Sequence, residues 1–148
     1  MAATPEARIE AFLADYFAQW EVVAPLFEQQ AVDGFDRWLP ALAEVEQRHL
    51  APGTDFRIEN SFARPATFRP GGEEVARVET DGDAGRVRTV VDDVLESVRE
   101  YELVRVGGDW LIGWTRLRRS GPARWSSTAG RARSRCAAPA RWSRTAAC

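Results

Sequence analysis

The sequence predicts an α+β fold in which N-terminal helices pack on a curved antiparallel sheet. Residues 5–50 repeat apolar side chains at spacings of three and four, the period of one helix face. Residues 56–117 repeat them at alternate positions, the period of a strand. The strand-like runs are joined by Asp81-Gly82-Asp83 and Gly107-Gly108-Asp109, which suit tight hairpins.

The first helix starts at Thr4-Pro5-Glu6: a capping hydroxyl, a proline suited to the first helical position and an acid that complements the positive helix end. Ile9, Phe12, Leu13, Tyr16, Phe17 and Trp20 then form a wide apolar stripe. Pro25 limits any second helix. Asp33-Gly34 opens a further helical stretch with Phe35, Trp38, Leu39, Leu42 and Val45 on its buried side, and Pro40 kinks it or starts a separate helix ending near Leu50. Ala51-Pro52-Gly53 closes the helical half.

Five strands are expected after it. Phe56, Ile58 and Phe62 alternate with polar residues in the first. Residues 63–74, rich in Pro and Gly, read as a loop. Residues 75–80 and 86–91 form one hairpin, and residues 99–106 and 110–117 form another. In the last strand, strict alternation sets Trp110, Ile112 and Trp114 on one face and Leu111, Gly113 and Leu117 on the other. The expected order is therefore three helices followed by five antiparallel strands.

A chain of 148 residues that is 45% apolar has the length of one domain and enough apolar material for a core. It has no Lys; all 20 basic residues are Arg. Residues 1–119 hold all 22 acids and 14 Arg, a net charge of −8, and residues 120–148 hold 6 Arg and no acid, a net +6. The expected domain is residues 1–118. Residues 119–148 read as a separate Arg/Ala/Ser-rich tail, because from 120 onward they lack Leu, Ile, Val, Phe and Tyr and cannot offset ordering entropy by burial. Pro122-Ala123-Arg124-Trp125-Ser126 recurs as Pro139-Ala140-Arg141-Trp142-Ser143. A basic arm with interleaved Trp suits nucleic acid. The abrupt break in composition suits a disordered or out-of-frame extension. Both Cys, Cys136 and Cys148, lie in this tail, so no disulfide framework is expected in the body and the expected setting is reducing and cytoplasmic. The start shows no signal-peptide pattern, and no apolar run is long enough to span a bilayer.

The chemistry-bearing residues form no strong motif. The candidates for a general base are Asp15, Asp36 and His49; Tyr16, on the apolar stripe, suits a core aromatic whose hydroxyl finds a backbone partner, or else an oxyanion donor. Asp15 lies off the apolar stripe, in solvent; Asp36 suits a helix start; His49 suits a cation at a helix C-terminus. One His and no body Cys make a zinc site unexpected. No Gly-rich phosphate loop is present. Glu59 and Glu79 alternate with apolar neighbours and face water, whereas Glu100 and Glu102 share a mixed face with Val98, Val104 and Val106.

Tyr101-Glu102-Leu103-Val104-Arg105-Val106-Gly107-Gly108-Asp109-Trp110-Leu111-Ile112 resembles the last hairpin of nuclear-transport-factor-2-like domains. Together with Arg48-His49-Leu50-Ala51-Pro52-Gly53 and residues 75–91, it is similar to bacterial immunity proteins of that fold, found in polymorphic toxin systems. The resemblance covers residues 5–117. It implies a cone of helices on a curved sheet, with Tyr16, Trp20, Trp38, Glu102 and Trp114 lining its pocket. It also implies an antitoxin that binds a cognate, basic or nuclease-like toxin, without catalysis, cofactor or metal of its own. A homodimer through the sheet, using Trp110, Trp114 and Leu117, and no nucleic acid or membrane partner for the body complete the expectation. The alternative within the same fold is a small-molecule enzyme of the SnoaL or ketosteroid-isomerase kind working in the cone.

Overall fold

The structure, a computed structural model, describes residues 1–30 and 32–119. The expectations for the tail beyond Arg119 lie outside the described residues. Two helices, α1 (Pro5–Glu28) and α2 (Gly34–His49), pack on a four-stranded sheet of β1 (Glu73–Asp81), β2 (Ala84–Val91), β3 (Val98–Val106) and β4 (Asp109–Arg118). The strands run antiparallel in the order β1-β2-β3-β4, each paired to its neighbour in sequence. The molecule is thus an α+β protein. No helix among the described residues is long and apolar enough to cross a membrane.

Thr4 caps α1 with its hydroxyl, which accepts from the Ala7 N–H at 3.2 Å, and Pro5 and Glu6 fill the first turn. Two helices stand where three are expected. Pro25 lies in the last turn of α1 and Pro40 lies inside α2. Each removes one helical N–H, but both rings are on the solvent side. The carbonyl that each leaves unpaired can therefore be hydrated, and packing of the opposite face carries the helix through. On α2 the inward positions are Trp38, Leu42, Val45 and His49; Phe35 and Leu39, expected inside, are 49% and 43% exposed. Each follows an inward residue by one position, about 100° around the helix.

The strand expected at residues 56–62 is absent. This segment runs outside the sheet with no regular secondary structure. Its backbone finds other partners: the Phe56 N–H donates to Thr54 Oγ1 at 3.2 Å and the Ile58 N–H to Glu46 Oε1 at 2.8 Å. The alternation records burial of Ile58, with Phe56 and Phe62 packed against the core, rather than a ladder. Just before it, Leu50 forms a single parallel bridge to Ile112, and the Ala51 N–H donates to the Ile112 carbonyl at 2.8 Å. The end of α2 is thereby tied to the free edge of β4.

The β1–β2 and β3–β4 hairpins have two-residue loops. Gly107 and Gly108 have φ of 58° and 80°, the pair of positive angles that a type I′ turn requires. In β4 the register slips between Glu102 and Leu103: Glu102 pairs with Trp114 and Leu103 with Ile112, leaving Gly113 as the extra residue of a bulge. Side chains alternate with a period of two, so one inserted residue reverses the faces beyond it. Trp110 and Ile112 point to the helices and are 3% and 1% exposed, but Trp114 shares the outer face with Glu102 and is 46% exposed. This corrects the strict alternation. Leu117, opposite Arg99, returns to the helix side, so it does not share a face with Trp114.

The core fills the space between the layers. Trp38, Tyr16, Tyr101, Phe12, Ile9, Ile112, Val45 and Val87 are all but fully buried. Phe12 makes edge contacts to Phe68 at 4.9 Å, His49 at 5.8 Å and Tyr101 at 6.4 Å between ring centroids, linking both helices, the connecting segment and β3. Gly85 on β2 admits the Trp110 ring; a Cβ there would stand 2.9 Å from it.

Candidate functional site

Two buried polar groupings lie between helices and sheet, and a cavity opens against the second. Arg8 organises the first. It lies on the inward stripe of α1 with Pro5, Ile9 and Phe12 and is 6% exposed. Its Nε donates to the Trp110 carbonyl at 2.6 Å and its Nη2 to Asp109 Oδ1 at 2.6 Å, and Nη1 lies 2.8 Å from His49 Nδ1. A guanidinium has donors only, so His49 Nδ1 accepts and the proton of the neutral ring sits on Nε2. Nε2 donates to Asp15 Oδ2 at 2.8 Å, and Arg48 Nη1 donates to both Asp15 oxygens at 2.8 Å.

The sequence pattern puts Asp15 in solvent and makes His49 a charged complement to a helix end; the structure differs on both. The Asp15 side chain is 19% exposed and the His49 side chain 6%. Burial pushes the His49 pKa down and the Arg8 charge pushes it further, against the opposing pull of Asp15. Burial raises the Asp15 carboxyl, but hydrogen bonds from His49 and Arg48 outweigh it and leave its pKa below the ordinary value. An Asp–His pair serves as a general base when the second ring nitrogen is free to take a proton from substrate. Here Arg8 occupies that nitrogen, and the pair works as a strut joining α1, α2 and β4.

Glu73 organises the second grouping. It falls in the segment that reads as a loop in the sequence, yet it is the first residue of β1 and points inward, its side chain 1% exposed. Arg99 Nη1 donates to Glu73 Oε1 at 2.7 Å and the Tyr101 hydroxyl to the same oxygen at 2.8 Å, while the buried Thr89 hydroxyl donates to Oε2. The Arg99 guanidinium also lies over the Phe68 ring, 4.4 Å from its centroid. Burial holds the Tyr101 phenol well above its ordinary pKa, and the neighbouring Glu73 carboxylate adds to the effect. Against this network lies a cavity of about 340 Å³ between α1 and the start of β1, with Glu73 and Thr89 among its buried lining.

The sequence-predicted pocket residues fall in two places. Tyr16 and Trp38 are buried edge to face at 5.4 Å, and Trp20 stacks on Phe62, whose ring also meets Trp38. Trp20 Nε1 donates to the Ala63 carbonyl at 3.0 Å and Trp38 Nε1 to the Ser61 carbonyl at 3.4 Å. Burial raises the Tyr16 pKa, and its hydroxyl is paired with Thr67. These three form one aromatic cluster. Glu102 and Trp114 lie on the far side of the sheet. Glu102 is 3.6 Å from Arg86 along a surface depression, and Trp114 meets Phe56 at 5.8 Å. Their neighbour Glu100, also on the outer face, is 5% exposed beneath Arg88, Arg116 and Arg118.

Sequence reasoning missed Arg8, Glu73, Arg99 and Thr89. Arg8 carried a readable signal, a charge on an otherwise apolar helix stripe. Among the described residues no group of three or more His, Cys, Asp or Glu side chains is placed to hold a metal ion. No known protein family, curated protein or solved structure matches this chain.

Proposed function

We propose that the chain is a binding protein of the immunity kind, with a nuclear-transport-factor-2-like cone, that neutralises a basic bacterial toxin in the cytoplasm and catalyses nothing itself. The observation that carries this reading is how charge is distributed over the helical layer. Residues 1–50 contain nine acids and three Arg. Arg8 is buried on Asp109, and Arg48 is engaged by Asp15 and Glu44. Outside these pairs the helical layer carries Glu10, Glu21, Asp36 and the N-cap Asp33 in the open and Glu6 half-buried, with Arg37 as the remaining cation of α1 and α2, while Glu28 is paired with Arg64 at 3.2 Å. Such a surface steers a cationic partner and presents carboxylates where a nuclease would hold phosphates. The resemblance of residues 48–53, 75–91 and 101–112 to toxin-system immunity proteins supports the same reading.

The alternative in this fold, an isomerase-like or SnoaL-like enzyme, needs a proton acceptor open to substrate. His49 has both nitrogens engaged, and Glu73 accepts from three internal donors. A self-association through the outer sheet face would centre on Trp114; Trp110 is buried and takes no part in it.

The test is genetic. A toxin encoded beside this chain's gene is expressed with and without it in the same cells. Rescue is expected, and it persists when residues 120–148 are deleted. Continued killing by the toxin while the chain is folded and abundant rejects the proposal.

A further inference from the structure

We infer that the outer face of the sheet, turned away from the helices, binds a single strand of nucleic acid. This site is independent of the toxin-binding reading, and it departs from the expectation of a body without a nucleic-acid partner. The register sets Arg77, Arg88, Glu100 and Arg116 side by side, one from each strand. Arg118, two positions beyond Arg116 on the same face of β4, turns to the same carboxylate, its Nη2 3.9 Å from Glu100 Oε2.

The carboxylates of this face do not balance its cations. Arg77 is held by Glu79 at 2.6 Å, and Arg86 lies 3.6 Å from Glu102. Arg88, Arg116 and Arg118 are left to share Glu100, three cations on one anion, a local surplus of two charges. Glu100 Oε1 accepts from Arg88 Nη2 at 3.0 Å, and Oε2 accepts from Arg116 Nε and Nη2 at 3.1 and 2.8 Å. Arg88 Nε is buried and finds no acceptor. Donors thus exceed acceptors in hydrogen bonds as well as in charge. The carboxylate is the buried member of the cluster, whereas the side chains of Arg88, Arg116 and Arg118 are 41%, 45% and 56% exposed. Glu100 therefore gathers the guanidiniums from below and leaves their outer N–H groups to solvent, where a phosphate can take them.

Trp114 supplies the second half of the site. It lies on the same face two positions before Arg116, about 7 Å along the strand. It is half-exposed, with Phe56 beside it at 5.8 Å. An open indole next to a cationic cluster takes a base on its ring while the guanidiniums hold the phosphate. A base inside a duplex is already stacked on both sides, so the single-stranded form is the one that reaches Trp114. An acidic peptide would satisfy the cations and leave the indole without a partner. Phosphate contacts and stacking carry little sequence information, so the site is tolerant of sequence.

The experiment uses the wild-type chain and a full-length variant with Arg→Gln at all six Arg of residues 120–148, which removes the cations of the tail. Both are titrated with fluorescein-labelled oligo-dT of about ten nucleotides. Binding is read from anisotropy and from the backbone amide shifts of Arg88, Glu100, Trp114 and Arg116. Saturable binding is expected in both, with those four amides among the shifted. In the tail variant, adding Arg116→Gln/Arg118→Gln should weaken binding by about tenfold or more at about 50 mM salt. It should also flatten the slope of log K against log salt by about 1.4, two contacts at about 0.7 each. Adding Trp114→Ala should weaken binding by about fivefold or more and leave that slope unchanged, because an indole carries no charge. All three positions are exposed, and urea unfolding checks that each variant is folded. No saturable binding once the tail cations are gone, or undiminished binding in folded Arg116→Gln/Arg118→Gln or Trp114→Ala, overturns the inference. So does equal competition by thymidine monophosphate, by a duplex of the same length or by polyglutamate.

Discussion

Removing Arg99 should be among the most damaging single changes in this protein, and changing Glu73 with it should recover part of the loss. The pair is 2.7 Å apart with side chains 7% and 1% exposed. At that distance, and at an effective dielectric of about 20, the gross attraction is about 6 kcal/mol. Desolvation of both ions cancels much of it, so the net worth of the pair is small. Arg99→Met, however, removes one ion and leaves the other buried and uncompensated, a loss of about 3–5 kcal/mol. The lost stacking on Phe68 pushes the figure toward the upper end. Against a typical domain stability of about 5–15 kcal/mol, this leaves a marginal fold. In Glu73→Gln/Arg99→Met the amide oxygen can still accept from Tyr101, the amide N–H can donate to Thr89 Oγ1, and no charge is buried. The double variant should regain about 2 kcal/mol or more over Arg99→Met alone. Urea unfolding of the wild type, both single variants and the double closes the cycle. An Arg99→Met loss under about 1 kcal/mol, or a double variant less stable than Arg99→Met, refutes the reasoning.

The acid side of the stability profile should carry a step due to His49. Its folded pKa is held below the unfolded value of about 6.5, so its contribution is fully present above that pH and is lost as pH falls through the folded pKa. His49 is the only His in the chain, so in His49→Gln the urea midpoint should change less than the wild type's between about pH 7.5 and pH 5.5; equal slopes would reject the assignment. The bulge at Gly113 predicts a contrast between two Trp residues. Trp38→Ala should cost about 3–5 kcal/mol and Trp114→Ala about 1 kcal/mol or less, measured by the same unfolding assay; similar losses would mean that Trp114 is packed inside.

How far the sequence discloses this molecule depends on the range of the interaction concerned. The cap at Thr4, the stripe of α1 and the Gly107-Gly108 turn are set by residues within four positions of one another, and each is readable as local pattern. The sheet faces are less secure, because each depends on an unbroken period of two. The bulges at Gly113 and between Val75 and Arg77 break that period, with only a glycine and Ala76 to mark them. The same break conceals Glu73, two positions before Val75 on the inner face, where the apolar alternation of β1 has not begun. The buried chemistry is least legible. Arg8 meets Asp109 across 101 positions, Asp15 meets His49 across 34 and Glu73 meets Arg99 across 26. No local motif can encode these pairings. Yet one half of the Arg8–Asp109 pair and of the Glu73–Arg99 pair is visible as a misfit, because a burial pattern excludes a charge unless some distant partner compensates it. Arg8 on an apolar helix stripe is such a misfit, and so is Arg99 two positions before the inward Tyr101 and four before Leu103 on one strand face. Such a misfit gives the position of a buried ion pair before it gives the partner. The sign of the charge then limits the search: an inward Arg in a chain with 22 acids has many candidates, and only the topology selects Asp109 for one and Glu73 for the other.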